Sequence, residues 1–190
     1  MKLSRRFYSR ETEIVARDLL GNVLVHKTDK GTLKGKIVET EAYLGLNDPG
    51  SRGYRKVKNI PKPLFNPPGH AFIYFTYGNH WMFNIIARSK RPLGGVLLRA
   101  LEPIEGIEIM KRLRKTNEIE NLTNGPGKLT KAFGIDKRYN YSDLTKGDLF
   151  VENANEKKFK VVRTTRIGLS DGKEKILRFY IKGNDFVSRK

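Results

Sequence analysis

Between Gly35 and Gly45 the chain reads Lys-Ile-Val-Glu-Thr-Glu-Ala-Tyr-Leu, and its density of β-branched and aromatic residues predicts a strand. A strand has a side-chain period of two, which puts Ile37, Glu39, Glu41 and Tyr43 on one face and Val38, Thr40 and Ala42 on the other. Two carboxylates and a tyrosine therefore look the same way. They are either solvated glutamates on an outer strand face or acids placed for chemistry. Upstream, Ser9 before Arg10-Glu-Thr-Glu13 reads as a helix N-cap and Gly21 as a C-terminal glycine, giving a helix from about 10 to 20. Val23–Val25 is a short strand, and the turn Thr28–Gly31 joins it to the acidic strand as a hairpin.

Downstream, His70–Tyr77 and Trp81–Ile86 are the strongest strand signals, and the Tyr77-Gly-Asn79 turn between them makes an aromatic hairpin with Tyr77 at its tip. Phe72, Phe75 and Phe83 are expected in the core, whereas Tyr77 is either core or an exposed contact. Gly94–Leu101 is a further buried strand in which Arg99 interrupts Val-Leu-Leu-Arg-Ala-Leu. A buried guanidinium must be paired, and the acidic strand offers a partner; the alternative is an arginine snorkelling to solvent. Ile104, Ile107, Met110 and Leu113 predict a helix over Pro103–Lys115. Asn124–Gly127 is a loop opening a short helix, Lys128–Phe133, whose start suits either phosphate or ordinary capping. Leu149–Val151, Phe159–Thr165 and Leu177–Ile181 are short strands that close the sheet, with Thr165-Arg-Ile-Gly168 at a strand end. Asn47–Pro68 is a long irregular segment whose Arg52, Arg55, Lys56, Lys58 and Lys62 fit phosphate contacts or a solvated loop.

Composition narrows the choice of partner. The 190 residues suit one compact domain, 1–190. Lys and Arg number 38 against 20 acids, a formal charge of +18, which points to a polyanion such as nucleic acid or an anionic surface. No apolar run approaches the roughly 18 residues needed to span a bilayer, and Met1–Tyr8 lacks the apolar stretch of a secretory signal, so a cytosolic protein without a membrane partner is expected. The absence of cysteine removes disulfides, thiolate nucleophiles and cysteine metal sites. His26, His70 and His80 are scattered without ligand spacing, so neither a metal nor a cofactor is expected.

Several segments together carry a resemblance. Glu39-Thr-Glu-Ala-Tyr-Leu-Gly45, Tyr74-Phe-Thr-Tyr-Gly78, Asn84, Leu97–Pro103 with Glu105-Gly106, Asn124–Leu129 and Arg178-Phe-Tyr180 resemble, in order and over nearly the whole chain, the alkyladenine (3-methyladenine, methylpurine) DNA glycosylases. The resemblance implies a mixed α/β (α+β) single domain with flanking helices on a curved antiparallel sheet, from which an aromatic β-hairpin protrudes into the DNA minor groove. It implies a monofunctional enzyme that starts base excision repair. Alkylated or deaminated purines are flipped out of double-stranded DNA, and the N-glycosidic bond is hydrolysed by a Glu-activated water.

By that resemblance Glu41 is the general base and Arg99 helps to hold it. Tyr43 and Tyr74 sandwich the flipped base, Asn84 screens out normal guanine, the Ile167 backbone N–H contacts the base, and Tyr77 fills the space left in the duplex. One departure stands out: the family usually carries a histidine nine residues after the tyrosine of Glu-Ala-Tyr, where this chain has Arg52, or Gly50 if the loop is shortened by two. A monomer is expected, cytoplasmic and nucleoid-associated in a prokaryote or nuclear in a eukaryote. The alternatives are a non-catalytic nucleic-acid-binding module, a bifunctional enzyme using a lysine Schiff base, and a metal nuclease built on Glu39, Glu41 and Asp48.

Overall fold

The computed structural model of the protein describes residues 1–51, 66–76, 78–88, 94–154 and 158–189. The segment read as irregular and basic falls largely outside these, as do Arg52 and Tyr77. Within them the chain forms a curled antiparallel sheet with helices, a mixed α/β fold. Its strands are β1 (Val23–Thr28), β2 (Gly31–Tyr43), β3 (Ala71–Thr76), β4 (His80–Ile86), β5 (Gly95–Glu105), β6 (Leu149–Glu152), β7 (Val161–Thr164) and β8 (Arg178–Ile181). The sheet order is β3-β4-β5-β2-β1-β6, with β8 also paired to β2 and β7 to β8.

The long β2 organises this arrangement. One of its edges pairs with β5, while on the other Gly31–Lys36 pair with β1 and Glu39–Glu41 pair with β8. The change of partner falls at Ile37–Val38, where the pairing with β5 also skips a residue. A bulge of this kind re-aims the side chains around it. The alternation read from the sequence therefore holds from Glu39 to Tyr43 and does not extend back through Val38 to Ile37. A second irregularity passes over Arg99 on β5, so that Glu39 faces Ala100 and Thr40 faces Leu98. The β1–β2 turn is closed by Thr28, whose hydroxyl donates to the Gly31 carbonyl at 2.8 Å and accepts from Lys30 N–H at 3.2 Å.

The helices are α1 (Arg5–Tyr8), α2 (Thr12–Leu19), α3 (Ile107–Arg114) and α4 (Pro126–Ala132). The main core joins Val15, Ala16 and Leu19 of α2 and Leu129 and Ala132 of α4 to Ala71, Ile73, Phe83, Ile85, Val96 and Leu98 of the sheet. Gly35 packs closely in this core, where a Cβ would stand 3.1 Å from both Phe133 and Leu101. Phe72 and Ile86 form a separate small cluster with Tyr74. The residues of β3 to β5 thus divide between two faces as their period requires.

Four expectations are corrected. Ser9 ends α1 rather than opening a helix, and the next helix starts at Thr12 behind Glu11. The first strand runs on to Thr28. Pro103–Glu105 belong to β5, held by the cross-strand pairs Lys36–Glu102 at 2.6 Å and Lys34–Glu105 at 2.9 Å, and α3 begins only after Gly106 at φ 80°. Phe75 is not core: 47% of it is exposed beside Trp81, at a ring-centroid distance of 4.8 Å.

Candidate active site

The two acids of β2 are not solvated; Glu39 and Glu41 are both fully buried. The sheet register explains what they meet. Arg178, Glu41, Leu97, Asn84 and Phe72 are successive cross-strand partners over β8, β2, β5, β4 and β3. Paired residues share a face, so one row leads from the acid to the aromatic cluster. Two residues along, Tyr43, Gly95 and Ile86 form a second row. Gly95 leaves a gap in it, since among the described residues a Cβ there would meet within 4 Å only the Ile85 carbonyl oxygen, at 3.6 Å. Tyr74 lies beside this gap, packed on Phe72 at a centroid distance of 5.3 Å.

Three donors converge on the Glu41 carboxylate from three parts of the chain. The Tyr43 hydroxyl donates to Oε2 at 2.8 Å, the Ile167 backbone N–H donates to Oε1 at 2.8 Å, and Arg99 Nη1 stands 3.3 Å from Oε1. The expected Arg99 pairing is thus present. Burial alone would lower the Arg99 pKa, but the charges of Glu41 and Glu39 outweigh it and raise it above the ordinary arginine value. Burial, the nearby charges of Glu41 and Tyr74 and the bond to Glu41 lift the Tyr43 phenol well above its ordinary range, against a smaller opposite pull from Arg166. Tyr43 is therefore a donor at physiological pH.

Glu39 belongs to a different arrangement. Its Oε1 accepts from Arg178 Nε at 2.7 Å, Arg99 Nε at 3.2 Å and the Ser188 hydroxyl at 3.0 Å, while Oε2 accepts the Ser188 N–H at 2.7 Å. Asp48 is equally committed, with Arg166 on both its oxygens at 2.5 and 2.7 Å and the N–H groups of Leu44 and Gly50 at 3.0 and 3.2 Å. Arg166 also donates to the carbonyls of Ala42 and Gly172, each at 3.0 Å, and lies 4.7 Å over the Tyr43 ring. Asn84 is 5% exposed and donates to the carbonyls of Phe72 at 3.2 Å and Met82 at 3.4 Å.

The family profile described as Methylpurine-DNA glycosylase (MPG) matches residues 6–185. The chain belongs to the methylpurine-DNA glycosylase family. A protein of Clostridium acetobutylicum named "Putative 3-methyladenine DNA glycosylase" is 43% identical over 201 residues, covering 99% of this chain and 98% of its own. One of Clostridium botulinum with the same name is 42% identical over 204 residues, the full length of both.

In this methylpurine-DNA glycosylase fold the structure brings Glu41, Arg99, Tyr43, Asn84, Tyr74 and Ile167 to one region. Arg52 and Tyr77 lie outside the described residues. The Ile167 N–H, expected to meet the base, is engaged by Glu41 instead. The three acids of the metal-nuclease alternative are each held by arginine, and among the described residues no group of three His, Asp or Glu is placed to hold a metal. Among the described residues no helix is long and apolar enough to cross a membrane. Sequence reasoning gave no role to Ser188, to Arg178 beyond its place in a family motif or to Arg166 beyond a strand end, and it named Asp48 only as a metal ligand. Their partners are far away along the chain, and local patterns carry no trace of that.

Proposed function

We propose that this chain is a monofunctional DNA-3-methyladenine glycosylase that removes alkylated purines such as 3-methyladenine and 7-methylguanine from double-stranded DNA, and hypoxanthine and ethenoadenine with them. The observation that carries the reading is the Glu41 carboxylate, buried in a cross-strand row that leads to the Phe72–Tyr74 cluster and met by three donors on separate elements.

The flipped purine enters the gap at Gly95, between the rings of Tyr43 and Tyr74, with the Asn84 side chain against its edge. Extrusion costs a few kcal/mol, and stacking returns roughly 1–3 kcal/mol per base on each ring, so two rings and the wedge of Tyr77 offset it. Glu41 then takes a proton from a water as the water oxygen attacks C1′. The bond from C1′ to the purine nitrogen breaks, the purine leaves, and an abasic site remains. Oε2, which accepts from Tyr43, retains a lone pair for that water, while Oε1 is fixed by Ile167 and Arg99. The carboxylate also faces the positive charge that develops on the sugar. A purine carrying an alkyl cation leaves readily, so positioning is the enzyme's main contribution.

The test is single-turnover base release from duplexes each carrying one defined lesion. Glu41→Gln, which keeps the shape and loses the base, is expected to bind the duplex and release nothing. Release at the wild-type rate refutes the assignment, and a borohydride-trapped adduct refutes the monofunctional mechanism.

A further inference from the structure

Two adjacent glycines lead into β5, and they are glycines for different reasons. A Cβ at Gly94 would collide with the Thr12 hydroxyl and the Ala87 carbonyl oxygen, so the packing of α2 on the sheet leaves no room for one. Gly95 has no such constraint. Its φ is outside the left-handed region, and the β2–β5 register runs through it without a skip, Tyr43 pairing with Gly95 and Ala42 with Val96. Among the described residues a Cβ there would find within 4 Å only the Ile85 carbonyl oxygen, at an ordinary contact distance. Of the other described glycines, only Gly125 combines a φ outside that region with no neighbour under 3.4 Å, and it is a helix N-cap, where glycine is common.

Inside a strand glycine is disfavoured, because it loses the most conformational freedom on folding and has no side chain to pack. Where neither a turn, a bulge nor crowding asks for it, the remaining reason is a ligand that comes close to the backbone. The surroundings of Gly95 fit that reason. The residue is buried, so the place of its missing side chain is a hollow in a region that packing would otherwise fill. Tyr43 and Ile86 are its cross-strand partners, and Leu97, two residues along β5, pairs with Glu41 on one side and Asn84 on the other. Aromatic and aliphatic walls with two polar groups at one end suit a planar heterocycle with polar atoms on its edge.

We propose that Gly95 is a specificity-determining residue: the flipped purine takes the space of the absent side chain, and the bare backbone there sets the largest purine that the site admits. This role rests on the reading above, in which Glu41 is the base and the purine enters between Tyr43 and Tyr74. A methyl group at position 95 takes its volume from the ligand and not from the fold. Ethenoadenine, with its additional fused ring, loses its place before 7-methylguanine does.

The experiment compares Gly95→Ala and Gly95→Val with the wild type in single-turnover release from duplexes carrying one 7-methylguanine or one ethenoadenine, in affinity for an undamaged duplex, and in calorimetric Tm. Gly95→Ala is expected to have a Tm at or above the wild type, by up to about 4 °C, since alanine restricts the unfolded chain and meets no obstacle in the folded one. It should slow ethenoadenine release about tenfold more than 7-methylguanine release, the low end of what one methyl-sized group achieves in a closed pocket. Gly95→Val, with two further carbons, should slow release of both lesions by about a hundredfold. Affinity for the undamaged duplex should match the wild type in both variants.

Wild-type release of both lesions by both variants overturns the proposal, as does an equal loss on the two lesions in Gly95→Ala. A Tm for Gly95→Ala more than about 2 °C below the wild type also overturns it, because the glycine is then a requirement of the fold. So does a wild type that leaves ethenoadenine in place, since the size limit then lies below that lesion. If the valine variant does not fold, the alanine variant decides. Glu41→Gln run alongside separates the two claims. Release by that variant sinks the base assignment, whereas an inert Glu41→Gln beside fully active Gly95 variants sinks only the role of Gly95.

Discussion

Replacing Asp48 by asparagine should both destabilise the protein and slow it, by separable amounts. The side chains of Asp48 and Arg166 are wholly buried and joined by two bonds of 2.5 and 2.7 Å. Removing one member of such a pair leaves a buried charge without its counter-charge, at about 3–5 kcal/mol. Asparagine still accepts one bond, so the low end, about 3 kcal/mol, is expected, or a fall in Tm of roughly 6–12 °C for a domain of this size.

Burial pushes the Asp48 carboxyl up, but the bonds from Arg166, Leu44 N–H and Gly50 N–H together hold it below its ordinary value of 3.8. Its folded pKa is depressed, so its contribution is complete above that ordinary value and is lost as pH falls through the lower folded one. Asp48→Asn should lack that part of the acid sensitivity. The functional loss follows from geometry, since Arg166 backs the Tyr43 ring and the next residue supplies the N–H on Glu41 Oε1. Asp48→Leu with Arg166→Met removes both charges and should recover most of the Tm but not the rate of base release at 25 °C. The measurements are calorimetric Tm and single-turnover release well below it. A Tm drop under about 2 °C for Asp48→Asn, or a double variant no more stable than the single, would refute the reasoning.

Three further outcomes are expected. Arg52→His should raise release of hypoxanthine or ethenoadenine relative to 7-methylguanine, because neutral imidazole can accept or donate where arginine only donates; an unchanged ratio removes the idea. At Gly50, the other candidate for that position, a side chain is crowded: a Cβ there falls 2.6 Å from Arg166 Nη2 and 2.8 Å from Leu169 Cδ1, so Gly50→His should lower Tm. Burial lowers the pKa of His26, against a smaller opposite effect from its 2.7 Å bond to the Phe133 carbonyl. The unfolded chain therefore gains a proton below the ordinary 6.5 that the folded chain does not. Urea midpoints should show stability falling from pH 6.5 downward until the lowered folded value is reached, by at most about 1.4 kcal/mol per pH unit, and His26→Asn should lose this component.

A pairing of Arg99 with the acidic strand was one of two readings the sequence offered, because a guanidinium inside an apolar strand demands an acid or an escape to solvent, and the family resemblance singled out Glu41; Arg99 in fact meets both glutamates. The β1–β2 hairpin was legible from the turn chemistry of Thr28–Gly31. What stayed hidden was set by distance along the chain: Arg166 meets Asp48 across 118 positions and Ser188 meets Glu39 across 149. The misread helices have local causes. The Thr12 hydroxyl bonds the Ala87 carbonyl, drawing the start of α2 onto the sheet, whereas the Ser9 signature promised an earlier start. Ile104 matched a helical stripe, yet it is 51% exposed at a skip in the β2–β5 pairing.

The acids of β2 are buried in a chain whose formal charge is +18. Among the described residues, the buried members of the Asp, Glu, Lys and Arg set are Glu39, Glu41 and Asp48 with Arg99, Arg166 and Arg178. Three negative charges meet three positive ones, so this interior set is neutral and the whole formal charge of +18 falls on the remaining residues. Lysine is missing from the buried set for a physical reason. Each buried cation serves several partners at fixed angles, which a planar guanidinium does and a single ammonium does not. A neutral interior separates the acids from the cationic excess of the rest of the chain, because each buried carboxylate sees an arginine of its own.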